Sequence, residues 1–342
     1  MKRTLGALAL SLLLGLVGLY IVAGPEIFRA ETYHVPRFDW WLIGIVALTF
    51  CSQWLIPTMR MQILCRDQGH RLPYVTAVLI HLVGIFSAAA TPGGSGNAPA
   101  LAAGLKRVNV PLGQGVALAV QIAVLDLLFF SWAVPVALAY LGVSGIIRLP
   151  LSLLVLVLAS TLVALTGSIV IGRYPGLGVH FFLWLARMRA LARFRRRLVQ
   201  GARDYYRSAR AFTRMSVGTW LYLQALGAVG WLSIFVMFWA LLNLYESAEV
   251  AAIVATLTVA TLVSFVVPTP GGSGMIEVAV GYGTSAQVSE TALSAPLLLW
   301  RLLTFYVIFL LGPIASWLLF GGMAVHASPV EQPCATDGKR RD

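Results

Sequence analysis

Arg301, Asp126, Glu277 and His81 are the groups of this chain that could hold or move charge inside otherwise apolar stretches. A lone arginine in hydrocarbon costs ~3 kcal/mol on insertion scales, so each such group reads either as half of a pair or as part of a site. Arg301 stands about ten residues into the last apolar stretch, ~15 Å deep at helical rise. Asp126 sits at comparable depth in another stretch, with Gln121 nearby, and Glu277 lies just past Gly274. Two chemistries fit. The arginine and an acid could form a buried pair that fixes helix packing. Alternatively, Arg301 and unpaired backbone N–H groups could hold a phosphate or carboxylate in a polar cavity, with Asp126 or Glu277 as candidate proton carriers. His81 reads first as a core residue.

The unpaired N–H groups would come from a duplicated hexapeptide, Thr91-Pro92-Gly93-Gly94-Ser95-Gly96 and Thr269-Pro270-Gly271-Gly272-Ser273-Gly274. Proline removes a donor and glycine weakens any helix it joins, so a helix breaks at both places. Within hydrocarbon, open backbone is tolerated only where protein or a water-filled cavity surrounds it. A break followed by a helix start presents free amides and the positive end of a helix dipole, a cradle for phosphate or carboxylate. Ser95 and Ser273 add hydroxyls, and Asn97 follows the first turn. The candidate binding residues are therefore Arg301, Glu277, Asp126, Gly93, Gly94, Ser95, Gly96, Asn97, Gly271, Gly272, Ser273 and Gly274. No metal-ligand spacing, nucleophile elbow or nucleotide loop is present, and neither a catalytic residue nor a cofactor is expected.

The elements that must position these groups are membrane helices. Of 342 residues, 59% are hydrophobic and only 11% charged. That composition over that length predicts an all-α polytopic membrane protein. Apolar segments run over 4–23, 39–57, 73–91, 111–141, 151–172, 217–244, 250–268 and 291–323. The first is a retained span, since no small-residue cleavage site follows it.

The net charge of +12 is uneven: between Arg173 and Arg214 lie eleven arginines and a single acid, Asp204. Interleaved with aromatics such as Trp184 and Tyr206, this stretch reads as an interfacial amphipathic helix on the anionic cytoplasmic face, not as a nucleic-acid surface. Counting Lys2/Arg3, Arg60/Arg66/Arg71, Lys106/Arg107 and Lys339/Arg340/Arg341 as cytoplasmic too, the chain closes only if 73–91 and 250–268 are entering arms of re-entrant hairpins. The prediction is about six full spans and two facing hairpins in an inverted-topology repeat. Residues 1–150 form the first repeat, with a hairpin entering from the cytoplasm. Residues 151–326 form the second, with the basic helix 173–215 and a hairpin entering from outside. Residues 327–342 are a cytoplasmic tail, so both termini face inward. Cys51, Cys65 and Cys334 read as bystanders.

Several pieces together resemble the lysylphosphatidylglycerol synthase transmembrane-region, or flippase-like, family of bacterial membrane proteins. They are Arg60 within Met59-Arg60-Met61-Gln62-Ile63-Leu64, the first glycine turn followed by Leu105-Lys106-Arg107, Pro270 to Glu277, and Trp300-Arg301-Leu302. One departure is Asn97, where relatives usually carry glutamate after the glycine. The resemblance implies a place in the bacterial cytoplasmic membrane, Arg60 as a further site residue, and handling or translocation of a lipid without aminoacyl transfer. With the chain ending shortly after Arg341, no synthase domain is expected. The leading expectation is a flippase- or scramblase-like transporter of a phospholipid or lipid-linked anion. The alternative is a proton-coupled secondary transporter of a small anion or polyprenyl phosphate.

Overall fold

Apolar runs of 16 to 32 residues in hydrocarbon have one way to satisfy their backbone, the α-helix. The computed structural model describes residues 35–321 except 36, 92, 146–150, 175, 189–193, 267–268, 270–271 and 286, together with Tyr20. The predicted first span, Tyr20 apart, and the tail lie outside the described residues. Among those residues every regular element is helical.

The first helix, α1 (Trp40–Asp67), is capped by Asp39, whose carboxylate accepts the Trp41 N–H at 2.9 Å. Then come α2 (Tyr74–Ala89), α3 (Asn97–Arg107), α4 (Leu112–Val143) and α5 (Leu151–Arg173). The basic region holds α6 (Gly176–Arg187) and α7 (Arg195–Thr213). The remaining helices are α8 (Val217–Asn243), α9 (Val250–Val266), α10 (Met275–Thr284) and α11 (Glu290–Arg301). A π-helical turn, Leu302–Tyr306, joins α11 to α12 (Val307–Phe320). Among the described residues, four helices are long and apolar enough to cross a membrane: α1, α4, α8 and the continuous rod Thr291–Phe320. The structure is that of an all-α membrane protein.

Two cores organise the packing. One gathers the end of α1, α2, α3, the first half of α4 and the far end of α12 around Leu64, Ile80, Leu105 and Leu125. The other gathers the second half of α4 with α8, α9, α10 and α11 around Phe130, Phe238, Leu257 and Trp300. Helix α2 packs on α12, and α9 packs on α4. Helix α3 packs on both α2 and α4, α10 packs on α9, and α1 and α8 lie against one another.

The basic region differs from the single interfacial helix expected. It folds as two helices, α6 and α7, packed together, with α7 also packed on α4. The apolar face of α7, Gly201, Ala202, Tyr205, Ser208 and Phe212, is buried. Gly113 of α4 leaves room for the Gly201 carbonyl, where any side chain would collide. Protein therefore covers the face assigned to lipid, and Arg196, Arg203, Arg207 and Arg210 remain exposed. A closed polar triangle seals this joint: Ser208 donates to Gln68 at 2.6 Å, Gln68 to Gln121 at 3.1 Å, and Gln121 to the Ser208 carbonyl at 3.1 Å.

At the opposite end, the loop after α8 is tied to the start of α11. Glu246 accepts both the N–H of Ser289 at 3.0 Å and its hydroxyl at 2.8 Å. These two donors hold the Glu246 carboxyl below its usual range. A carboxylate whose folded pKa is depressed adds stability above its unfolded pKa and loses it as pH falls through the folded one. Thermal unfolding followed from about pH 6 to pH 3 should show this loss, and Glu246→Gln should flatten that part of the profile. An unchanged profile in the variant would remove Glu246 from the acid response.

Candidate functional site

The second glycine turn places its groups against Arg301. Gly272 and Gly274 have φ of 69° and 86°, the left-handed region that glycine alone enters without strain. Glu277, in the first turn of α10, reaches back so that Oε2 accepts the Gly274 N–H at 2.7 Å. Its other oxygen, Oε1, lies 2.7 Å from Nε of Arg301. Ser273 Oγ accepts from Arg301 Nη2 at 3.4 Å. All three side chains are inaccessible: Ser273 and Glu277 are 0% exposed and Arg301 is 4% exposed. The guanidinium also stacks on Phe305, with Cζ 4.2 Å from the ring centroid. Such a pair survives burial because it is short, neutral overall and braced by further donors.

Immediately after Arg301 the helix widens into the π turn, a form found mostly as single turns at functional places. The turn's Leu303 carbonyl accepts from Gln53 Nε2 of α1 at 3.2 Å. The Tyr306 hydroxyl, also on this turn, is buried without a hydrogen-bond partner.

The first turn begins identically and ends differently. Gly94 donates to the Thr91 carbonyl at 3.2 Å, as Gly272 does to that of Thr269 at 3.2 Å. Gly93 and Gly94 have φ of 59° and 67°, but Gly96 has φ of −73°, and its N–H goes to the Thr91 hydroxyl at 2.7 Å. In the second turn that hydroxyl's counterpart, Thr269 Oγ1, is buried with no partner. The carboxylate of Glu277 has taken the Gly274 N–H instead. The corresponding place after Gly96 is held by Pro99, which offers no side-chain acceptor.

The structure also separates the predicted residues. Ser273, Gly274, Glu277 and Arg301 converge. Ser95 is exposed whereas Ser273 is buried, so the matched hydroxyls are not placed alike. Asn97 rests against Gly84 of α2, and Gly271 lies outside the described residues. Asp126 pairs elsewhere, with Arg60 Nη1 at 2.7 Å. Arg60, counted among the orienting charges beyond the 39–57 segment, is in fact buried, because α1 continues to Asp67. The indole N–H of Trp231 approaches Asp126 Oδ1 at 3.3 Å.

Residues 5–312 match the lysylphosphatidylglycerol synthase TM region. This protein belongs to that family. A UPF0104 membrane protein of Archaeoglobus fulgidus is 25% identical over 291 residues, spanning 82% of this chain and 87% of the relative. In this member of the TM-region family, Ser273, Gly274 and Glu277 form a single contact cluster with Arg301. Trp300 donates to the Ile234 carbonyl of α8 at 3.2 Å, which sets the rotation of α11 and aims Arg301 at Glu277. Sequence reasoning missed Gln53, Trp231, Phe305 and Tyr306. A buried indole or amide needs a partner, which is the one signal that Trp231 and Gln53 offered.

Proposed function

We propose that this protein translocates an anionic lipid headgroup, or a lipid-linked phosphate, between leaflets in the manner of a flippase or scramblase, with no chemistry on the cargo. The buried Arg301–Glu277 pair at the break between α9 and α10 carries this reading. Glu277 serves as an internal stand-in for the cargo's anion. An incoming phosphate displaces the carboxylate and takes over Arg301 Nε, the Ser273 hydroxyl and the Gly274 N–H. Arginine suits the task because its planar fork matches phosphate oxygens.

Helix lengths and packing support a re-entrant, inverted-repeat arrangement. Helices α2 and α3 have 16 and 11 residues, and α9 and α10 have 17 and 10. A full crossing takes about 20. Exchanging the halves maps α2 packed on α12 onto α9 packed on α4, as a pseudo-two-fold axis requires. An aromatic chain links the first hairpin to the arginine: Phe86 to Phe309 at 6.1 Å, Phe309 to Phe305 at 5.2 Å, and Phe305 to Arg301. Rocking of the halves would then alternate exposure of the cargo site. The arginine-rich end faces the cytoplasm of a bacterial cell, and no nucleotide hydrolysis drives the cycle.

The test is movement of a fluorescent phosphatidylglycerol in proteoliposomes. Arg301→Gln should slow it by about tenfold or more, the scale of losing charge-assisted hydrogen bonds. Wild-type rates would remove Arg301 from the mechanism. A second reading, proton-coupled carriage of a small anion or polyprenyl phosphate, rests on Glu277 being a fully buried, titratable counter-ion to Arg301. Dependence of transport on an imposed pH gradient, lost in Glu277→Gln, would select it.

A further inference from the structure

The proposed exchange at Arg301 leaves the other buried arginine unused. Arg60 is 4% exposed, and of its nitrogens Nη1 meets Asp126 while Nε and Nη2 are buried with no partner. A guanidinium offers five N–H donors in a rigid fork, and donors buried unpaired are rare in folded proteins. Space has been made for it: a Cβ on Gly227 of α8 would come within 3.1 Å of the guanidinium carbon. The pair is closed on the arginine's side and open on the acid's, their side chains being 5% and 26% exposed. This arrangement repeats that around Arg301: a buried arginine, one carboxylate on one nitrogen, an extra donor (the Trp231 indole), and unfilled capacity.

Two helices give the spacing of the two arginines. On α8, Gly227 underlies Arg60 and the Ile234 carbonyl holds Trp300, the neighbour of Arg301. On α1, Gln53 bonds Leu303, just past Arg301, and Arg60 lies on the same helix. Both intervals are two helical turns, ~10 Å. Arg60 lies nearer the end that carries the Gln68–Gln121–Ser208 triangle and the arginines of α7.

We propose that Arg60, with Asp126 and Trp231, forms a second oxyanion station, ~10 Å from the Arg301 station. Its ligand is a phosphate or carboxylate oxyanion, borne by a lipid headgroup or free. The inference rests on the Arg301 reading and deepens it. A headgroup moves between stations, and at each one a resident carboxylate re-neutralises the arginine that the headgroup leaves. Arg60 and Asp126 both belong to the first half, and Glu277 and Arg301 to the second, so each pair stays intact as the halves rock.

Equilibrium dialysis of the purified full-length protein in detergent, with dihexanoyl phosphatidylglycerol and with inorganic phosphate as separate probes, tests this. Wild type should bind two anions per chain with at least one probe. Binding of the lipid alone identifies a headgroup station, and binding of both identifies a general oxyanion station; either supports the proposal. Arg60→Gln should weaken one site by about ten- to a hundredfold and spare the other. Unchanged stoichiometry and affinity in Arg60→Gln would overturn the proposal. Should that variant fail to fold, the neutral double variant Arg60→Met/Asp126→Leu decides. A pair that serves only packing tolerates a neutral replacement and keeps two sites. A station loses one. If Arg301→Gln keeps both sites and full transport, the Arg301 reading fails whatever Arg60 does. If only Arg60→Gln behaves as wild type, this inference alone falls.

Discussion

Glu277→Gln is expected to destabilise the protein by about 3–5 kcal/mol, because it leaves the Arg301 charge buried without its counter-ion. The amide oxygen can still accept the Gly274 N–H, but the amide nitrogen would then face the guanidinium, donor against donor. Arg301 is 4% exposed and cannot turn to solvent for relief. The loss should be read as unfolding free energy or as a fall in thermal midpoint in detergent. Glu277→Leu/Arg301→Met should recover much of it, since replacing a whole buried pair by apolar groups is often neutral or stabilising. Transport should not recover in that double variant. A single-variant loss below about 1 kcal/mol would mean that the pair sits in a solvated, screened setting.

Gly312→Leu is the second large effect. On α12, Gly312 lies against Phe86 of α2, and even a Cβ there would collide with Phe86 Cβ and Cγ. Those atoms lie close to the α2 backbone and cannot rotate away, so the two helices must separate. Overpacking costs about 1–3 kcal/mol for small insertions, and a full leucine exceeds that range. Close approach at small residues is what joins membrane helices, where no hydrophobic drive adds to packing. The change should also part Phe86 from Phe309 and so disturb the aromatic path to Arg301. Phe86→Ala should restore part of the stability. Gly44→Ala, where a Cβ meets no atom within 4 Å, is the control and should cost nothing. Equal behaviour of Gly312→Leu and Gly44→Ala would show that α2 and α12 do not pack as described.

The apolar segments from residue 39 onward coincide with helices to within a few residues, except at the far end of 39–57. Hydrocarbon explains the agreement, since it leaves the backbone no alternative and hydropathy alone reports it. The exception is α1, which carries Arg60 some way past the predicted end of its segment. Orienting charges are counted one by one along the chain. The partner that lets Arg60 stay inside, Asp126, comes from a different helix. The basic stretch shows the same limit: its amphipathic period was legible, but whether lipid or α4 covers the apolar face depends on which neighbour arrives. The π turn carries no compositional mark at all. Of the site, Glu277 and Arg301 stood out because charge at depth is costly. Gln53, Trp231 and Phe305 did not, because their roles rest on distances between helices.

The duplicated hexapeptide draws the line most clearly. Proline and glycine chemistry by itself determined that helices break at Pro92–Gly96 and Pro270–Gly274, whatever surrounds them. How each break is finished was a tertiary decision. The Gly96 N–H turns to the Thr91 hydroxyl. The Gly274 N–H turns to Glu277, which Arg301 holds in place from another helix, and the Thr269 hydroxyl is left unused. Identical residues close differently because a backbone donor goes to the strongest acceptor within reach, and a carboxylate held by a buried guanidinium outcompetes a hydroxyl.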